Sequence, residues 1–401
     1  MRARDAVIVG AVRTPVGRGR PGGALSGHHP VDLLATTLQA LAERTGIDPA
    51  DVDDVIVGCV SQVGQQAFNV ARNAVLAAGW PETVPATTVD RQCGSSQQAL
   101  HFAAQGVLAG SYDTVVVAGV ESMSRVPMGS SMLHDDPFGT HIAARYPGGL
   151  IPQGISAERI AARWDLSRTA LDEYAAMSHQ RAHAAHEDGR STARMLPLPV
   201  DRGEGPTGDV LRHDEGVRPG TTVDTLAALS PAFRHESWEQ RFPELRWVVH
   251  AGNASQLSDG AAALLVMDRA RAEASGLTPL ARVHTMTVVG DDPLLMLTGV
   301  IPATRRVLER ADLTLDAIDA FEVNEAFAPV VLAWQRELDV DLGRVNVHGG
   351  AIANGHPLGA SGAKLTTTLL DVLEHRDGRF GLQTMCEGGG MANATILERL
   401  A

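Results

Sequence analysis

Two textures alternate along this chain. Short runs of mostly apolar, β-favouring residues recur at 6–12, 52–60, 84–89 and 112–120. Between them lie runs with helical period. Residues 30–44 start at Pro30 and bury Leu33, Leu34, Leu38 and Leu41 on one stripe. Residues 69–78 form a second helix, stopped by Gly79 and Pro81, and a third ends near Gly110. The third places Ala99, Phe102, Ala103, Gly106 and Val107 on one face. Strands alternating with helices predict βαβ units and a mainly parallel sheet. From 121 to 249 the strand runs fade, and Met, Pro, Gly and His become frequent. A helical stretch at 155–188 is the clearest element there. This region reads as an insertion of loops and helices, the kind of segment that often carries binding. Strand texture returns at 261–267, 281–290 and 380–385.

The pattern also repeats weakly. The run Val52-Asp53-Asp54-Val55-Ile56-Val57-Gly58 resembles Ile318-Asp319-Ala320-Phe321-Glu322-Val323-Asn324. Two copies of one α/β unit are the expectation, with Cys93 after the first and His356 at a matching distance after the second. The predicted organisation is a first half at 1–120 completed by 250–272, an inserted domain at 121–249, and a second half at 273–401.

Composition narrows the function. A net charge of −13 argues against nucleic-acid binding through a broad basic face. Three cysteines, Cys59, Cys93 and Cys386, are too few and too far apart for a disulfide framework, and without a CxxC pair they predict no structural metal. No apolar run has the length of a signal-peptide core or a membrane span. A reducing cytoplasm and no membrane partner are the expectation.

Four clusters carry candidate chemistry. Cys93, in Gln92-Cys93-Gly94-Ser95, stands where a strand hands over to a helix. Helix N–H groups and the helix dipole favour a thiolate there. A lone Cys is more often buried structure, so the other clusters decide. Asn324-Glu325-Ala326-Phe327 follows a strand and precedes a helix at 328–338, at the sheet edge where ligands bind; a plain helix cap by Asn324 is the alternative. His356 lies between Gly355 and Pro357, held out of helical geometry just before a helix. Cys386 ends a strand and is followed by Glu387-Gly388-Gly389-Gly390, whose N–H groups are free to face an oxyanion; a Gly-rich hairpin is the alternative.

Together with Gly119-Val120-Glu121-Ser122-Met123-Ser124, Ala251-Gly252-Asn253-Ala254-Ser255 and Ser258-Asp259-Gly260-Ala261, these clusters resemble the thiolase family over nearly the whole chain, in order. The resemblance implies an α/β fold of two similar halves in a five-layer α-β-α-β-α core, with 121–249 as a loop domain over the site. It implies an acyltransferase without a permanently bound cofactor. Acyl-CoA and CoA are its substrates, and it assembles as a homodimer or homotetramer. Cys93 would be the nucleophile, His356 its helper and Cys386 the proton shuttle. One oxyanion site would be His356 with a water held by Asn324, the other the N–H groups of Cys93 and Gly388. Ser255, Arg218, Thr225, Ala326 and Phe327 match positions that meet CoA; for Arg218 a solvated surface charge is the alternative.

The chain departs from the family at Asp90, Asn354, Pro152-Gln153-Gly154 and Glu387, where a carboxylate would raise the neighbouring thiol pKa. Its Cys-Glu-Gly-Gly-Gly tail looks most like a degradative branch that includes steroid breakdown. The resemblance therefore implies thiolysis of a 3-ketoacyl-CoA to acetyl-CoA and a shortened acyl-CoA. Condensation of two acetyl-CoA is the alternative, and a non-catalytic acyl-CoA-binding protein or a ketoacyl synthase are more distant ones.

Overall fold

The structure is a computed structural model that describes residues 4–400; the outermost residues of the first and last predicted segments lie outside it. The first half runs β1 (Ala6–Arg13), β2 (Gly17–Arg18), α1 (Pro30–Thr45), β3 (Asp54–Gly58), α2 (Val70–Ala77), β4 (Ala86–Val89), α3 (Ser95–Ala109) and β5 (Thr114–Ser122). An excursion follows: α4 (Gly139–Arg145), α5 (Gln153–Arg163), α6 (Arg168–Glu187), a hairpin of β6 (Leu198–Asp201) and β7 (Pro206–Leu211), α7 (Val223–Ala227) and α8 (Glu236–Arg241). The chain then re-enters the sheet as β8 (Ser258–Asp268) and continues through α9 (Arg269–Ala274), β9 (Ala281–Gly290), α10 (Val300–Ala311) and β10 (Ala320–Val323). It ends with α11 (Ala328–Leu338), α12 (Ala351–Asn354), α13 (Ser361–Arg376), β11 (Phe380–Glu387) and β12 (Met391–Arg399).

The strands form one sheet path, β10-β11-β12-β9-β1-β8-β5-β3-β4, joined in the middle by β1 and β9. Helices α1 and α2 cover the outer face of the first half, and α10 and α11 approach the second from its far side. Helices α3 and α13 pack against each other and against strands of both halves. The layers therefore read α-β-α-β-α, as expected, and the middle layer is where the two halves meet. The internal repeat is real at the level of hydrogen bonds. Val55 pairs in parallel with Ala86, and its counterpart Phe321 pairs in parallel with Val345. Asp53 accepts the N–H groups of Asp113 and Thr114 at the start of β5, as Asp319 accepts those of Arg379 and Phe380 at β11. One carboxylate in each half pins the strand that leads toward the centre.

Three expectations need correction. The sheet is mixed, not mainly parallel: among the strand pairs of the described residues, only β3·β4, β3·β5 and β10·β11 run parallel. The reason is connectivity. β8 returns from the excursion and runs antiparallel between β5 and β1, and β12 is the hairpin partner of β11. Phe102 is 42% exposed, because α3 is covered along Ala99, Leu100, Ala103, Ala104 and Val107. The helical stretch at 155–188 is two helices, broken where Asp165 takes a positive φ of 47°.

Glycine makes the central contact possible. A Cβ at Gly58 would lie 2.6 Å from Gly359 O, and one at Gly359 would lie 2.6 Å from the Cα of Cys59. Backbone meets backbone there, so the end of β3 seats the loop that carries His356.

Candidate active site

Cys93 stands in the turn between β4 and α3. Gln92 adopts a positive φ of 48°, so the chain bends sharply just before the thiol. Gly94 is the N-cap of α3 and offers no side-chain cap. Cys93 shares a buried apolar cluster with Met123, Leu358, Leu365 and Met385, which come from three separate places in the chain. Leu358 is two residues from His356, and Met385 precedes Cys386. Both thiols are buried and free of disulfide.

The expectation that the helix end would favour a Cys93 thiolate fails. Burial pushes the Cys93 thiol well above its ordinary range, with the nearby Cys386 and Glu387 adding to it and its own N–H opposing. Four apolar neighbours outweigh one helix terminus, so the thiol rests protonated and needs a base. Cys386 is likewise pushed up, to about 12, chiefly by burial. Its own N–H and the Asn324 amide partly offset this, and Glu387 adds to it.

The base is at hand. His356 is 3% exposed, and burial followed by the Lys364 charge lowers its pKa to about 3, so its ring is neutral. Its Nδ1 lies 2.6 Å from Ser361 Oγ, and that hydroxyl donates to Pro357 O at 2.9 Å. A hydroxyl has one proton, so Ser361 accepts from Nδ1–H, and Nε2 keeps its lone pair. Asn324 Nδ2 lies 3.4 Å from that Nε2. Ser258 Oγ accepts the His356 N–H at 2.8 Å, and Lys364, the only lysine, donates from Nζ to Gly355 O at 3.2 Å.

Glu121 and Glu325 brace this loop. Glu121 accepts the N–H groups of Val60, Ser61 and Gly359 and the amide of Gln66. Glu325 accepts from Tyr174, Ser178, Asn346 and the Ile352 N–H, which ties α6 to α12. Asn324 is not a helix cap: Phe327 holds that position, without a side-chain bond.

The remaining candidates divide. Ser255 N–H donates to Ala326 O at 2.9 Å, and Ala254 bridges to Phe327, so Ser255, Ala326 and Phe327 form one strip beside Asn324. Gly388 adjoins two amides: a Cβ on it would lie 3.1 Å from Gln92 Oε1 and 3.4 Å from Gln153 Nε2. Arg218 and Thr225 are exposed on the excursion between β5 and β8. Thr225 Oγ1 is committed to Thr222 O at 2.8 Å in a capping box. Arg218 joins its neighbours through its N–H, donated to His179 Nδ1 at 3.1 Å. A cleft of about 370 Å³ lined by Arg159, Arg163 and Arg246 contains none of these residues.

Glu121 and Ser258 stand in motifs quoted from the sequence, but neither they nor Ser361 received a role there. Ser361 in the Gly359–Gly362 run reads as an ordinary first-turn residue. Its five-residue spacing from His356 is the signal that points to it.

Known proteins resemble the chain over its length. Residues 6–270 match the model of the thiolase N-terminal domain, and residues 277–399 that of the thiolase C-terminal domain. The steroid 3-ketoacyl-CoA thiolase FadA6 of Mycobacterium tuberculosis is 46% identical over 99% of this chain and 94% of its own length. A 3-ketoacyl-CoA thiolase of Pectobacterium carotovorum is 44% identical over 98% and 99%. The crystal structure of the Bacillus anthracis acetyl-CoA acetyltransferase superposes with a TM-score of 0.88 at 37% identity, covering 99% of both chains.

Proposed function

The chain belongs to the thiolase family, and from that premise we propose that it cleaves a 3-ketoacyl-CoA with CoA through an acyl group carried on Cys93. One observation carries the assignment of roles. The buried Cys93 thiol lies near enough to Cys386, from the other half, to feel its charge; Cys386 bonds Asn324, and Asn324 Nδ2 lies 3.4 Å from the unprotonated Nε2 of a neutral imidazole.

The steps follow from proton states. Cys93 passes its proton to His356 Nε2, and its sulfur attacks C3 of the substrate. The imidazolium N–H then faces the oxygen that becomes negative, with Asn324 beside it. The C2–C3 bond breaks as the C3 carbonyl re-forms. Its electron pair stays on C2, and Cys386 gives C2 a proton, releasing acetyl-CoA. A thiol with a pKa raised to about 12 keeps that proton at neutral pH, and its thiolate is a strong base. The Cys386 thiolate deprotonates incoming CoA, whose sulfur takes the acyl group, and Cys93 recovers its proton from His356. The backbone N–H groups of Cys93 and Gly388 are our second oxyanion site. Ser255, Ala326 and Phe327 form our channel for the pantetheine arm, with Arg218 and Thr225 toward its outer end. Residues 121–249 are then the domain that CoA crosses.

Relatives named as 3-ketoacyl-CoA thiolases support the degradative direction. The test is thioester cleavage with CoA and 3-ketoacyl-CoAs of graded size, read as acetyl-CoA formed. Activity that extends to long or bulky acyl groups is expected, and activity confined to the four-carbon substrate favours acetoacetyl-CoA synthesis instead.

Ser361 gives a narrower prediction. Ser361→Ala releases Nδ1 and lets the ring turn or change tautomer. A loss of about a hundredfold in kcat with little change in KM is expected, since misplacing a reacting group costs that much. Equal loss in KM would assign Ser361 to substrate binding.

No helix among the described residues is long and apolar enough to cross a membrane. Both thiols must stay reduced, which fits a cytoplasmic setting. A homodimer or homotetramer is supported by Phe68, 93% exposed, close to the end strand β4.

A further inference from the structure

Glu387 follows Cys386 on β11, but alternation along the strand turns it to the other face, with Met385 and Gln383. It is 0% exposed, and its carboxyl lies against the N-cap of α3: a Cβ on Gly94 would overlap Oε1. Neither carboxyl oxygen has a hydrogen-bond partner among the described residues. Asn393 of β12 lies beside it but gives its amide to Gly94 O at 3.1 Å. The charged and titratable groups that face it are Asp90, Arg91 and Cys93 from the turn before α3, and Cys386 from its own strand. Arg91 attracts negative charge there and Asp90 repels it, and no ion pair forms with Arg91 among the described residues.

A buried carboxylate with no donors is costly, whereas a neutral carboxyl is far less so. The reactive species of the proposed reaction are anions: the Cys93 and Cys386 thiolates, two oxyanions and the C2 carbanion. We propose that Glu387 is a positioning residue for the reacting thiol, neutral during turnover and, once ionised, holding Cys93 as the unreactive thiol. Its position between Gly94 and Cys386 lets one proton decide whether the site tolerates a second negative charge. Burial, the largest influence, raises its own pKa to about 8, so the change falls on the alkaline side of neutrality. The inference rests on Cys93 being the reactive thiol, but not on the identity of its substrate.

The test compares wild type with Glu387→Gln, which matches the neutral acid in shape. The readout is the rate of iodoacetamide alkylation, mapped to the Cys93 peptide from pH 6 to pH 10. At pH 6 both proteins carry a neutral group, and the rate ratio is near one. As pH rises through the Glu387 titration the variant pulls ahead, by about tenfold at pH 9, the effect of one buried like charge a few ångströms away. A ratio independent of pH, whether one or not, overturns the proposal, because altered packing changes rates equally at every pH. If Glu387→Gln does not fold, Glu387→Ala is read the same way against its own rate at pH 6. No CoA ester enters this experiment. A pH-dependent ratio in a protein that fails to cleave ketoacyl-CoA would therefore keep Glu387's role while removing the proposed function.

Melting gives a second readout. The folded pKa of Glu387 lies above the ordinary 4.5, so the folded state holds this proton more tightly. Its stabilising effect is complete below pH 4.5 and is lost as pH rises toward 8. The Tm of Glu387→Gln relative to wild type is expected to rise across that window, and a constant difference would count against a buried proton.

Discussion

Cys93→Ala lowers kcat/KM for thiolysis by about 10⁵-fold and abolishes acyl-enzyme formation, the expected scale for removing a nucleophile. No neighbour substitutes. Cys59 is buried elsewhere, in the first half's outer core, and its thiol is pushed well above its ordinary range by burial. Cys386 faces the second half's core and rests protonated. The measurement is steady-state thiolysis together with the mass of the protein after exposure to substrate. The variant removes only a sulfur, from a site enclosed by Met123, Leu358, Leu365 and Met385, so it should fold. A variant that keeps a tenth of wild-type activity would mean that another group carries the acyl chain.

Cys386→Ser is expected to divide the reaction. A serine hydroxyl is a far poorer acid toward C2, so the anion that would then deprotonate CoA does not form. Thiolysis should fall by about 10³-fold to 10⁴-fold, the upper range for a lost proton-transfer group. Acylation of Cys93 by a nitrophenyl thioester needs no such acid, because the departing thiolate is stable without a proton. That half-reaction should stay within about tenfold of wild type. The two rates together separate a proton shuttle from a residue that merely shapes the pocket, since a packing defect would slow both alike.

The placement of the candidate groups was legible in the sequence because they sit in short motifs of small residues. Cys93, Asn324, His356 and Cys386 each stood at a strand or helix boundary, and α11 spans the residues read for it, 328–338. The repeat was legible too, down to Asp53 and Asp319. What could not be read depends on partners distant in the chain. The Cys93 thiol is raised, not lowered, because Leu358, Leu365 and Met385 close over it from more than two hundred and fifty residues away. The mixed sheet follows from where β8 re-enters after the excursion that follows β5, which no local pattern encodes. The tautomer of His356 hangs on Ser361, whose role needs the folded geometry of Pro357 O.

The account stands on one covalent event, and peptide mass spectrometry after brief exposure to a 3-ketoacyl-CoA without CoA tests it directly. It predicts an added acyl group on the peptide containing Cys93, removed when CoA is then supplied. An adduct on Cys386 or Cys59, or an unmodified protein under conditions where thioester is consumed, would contradict it.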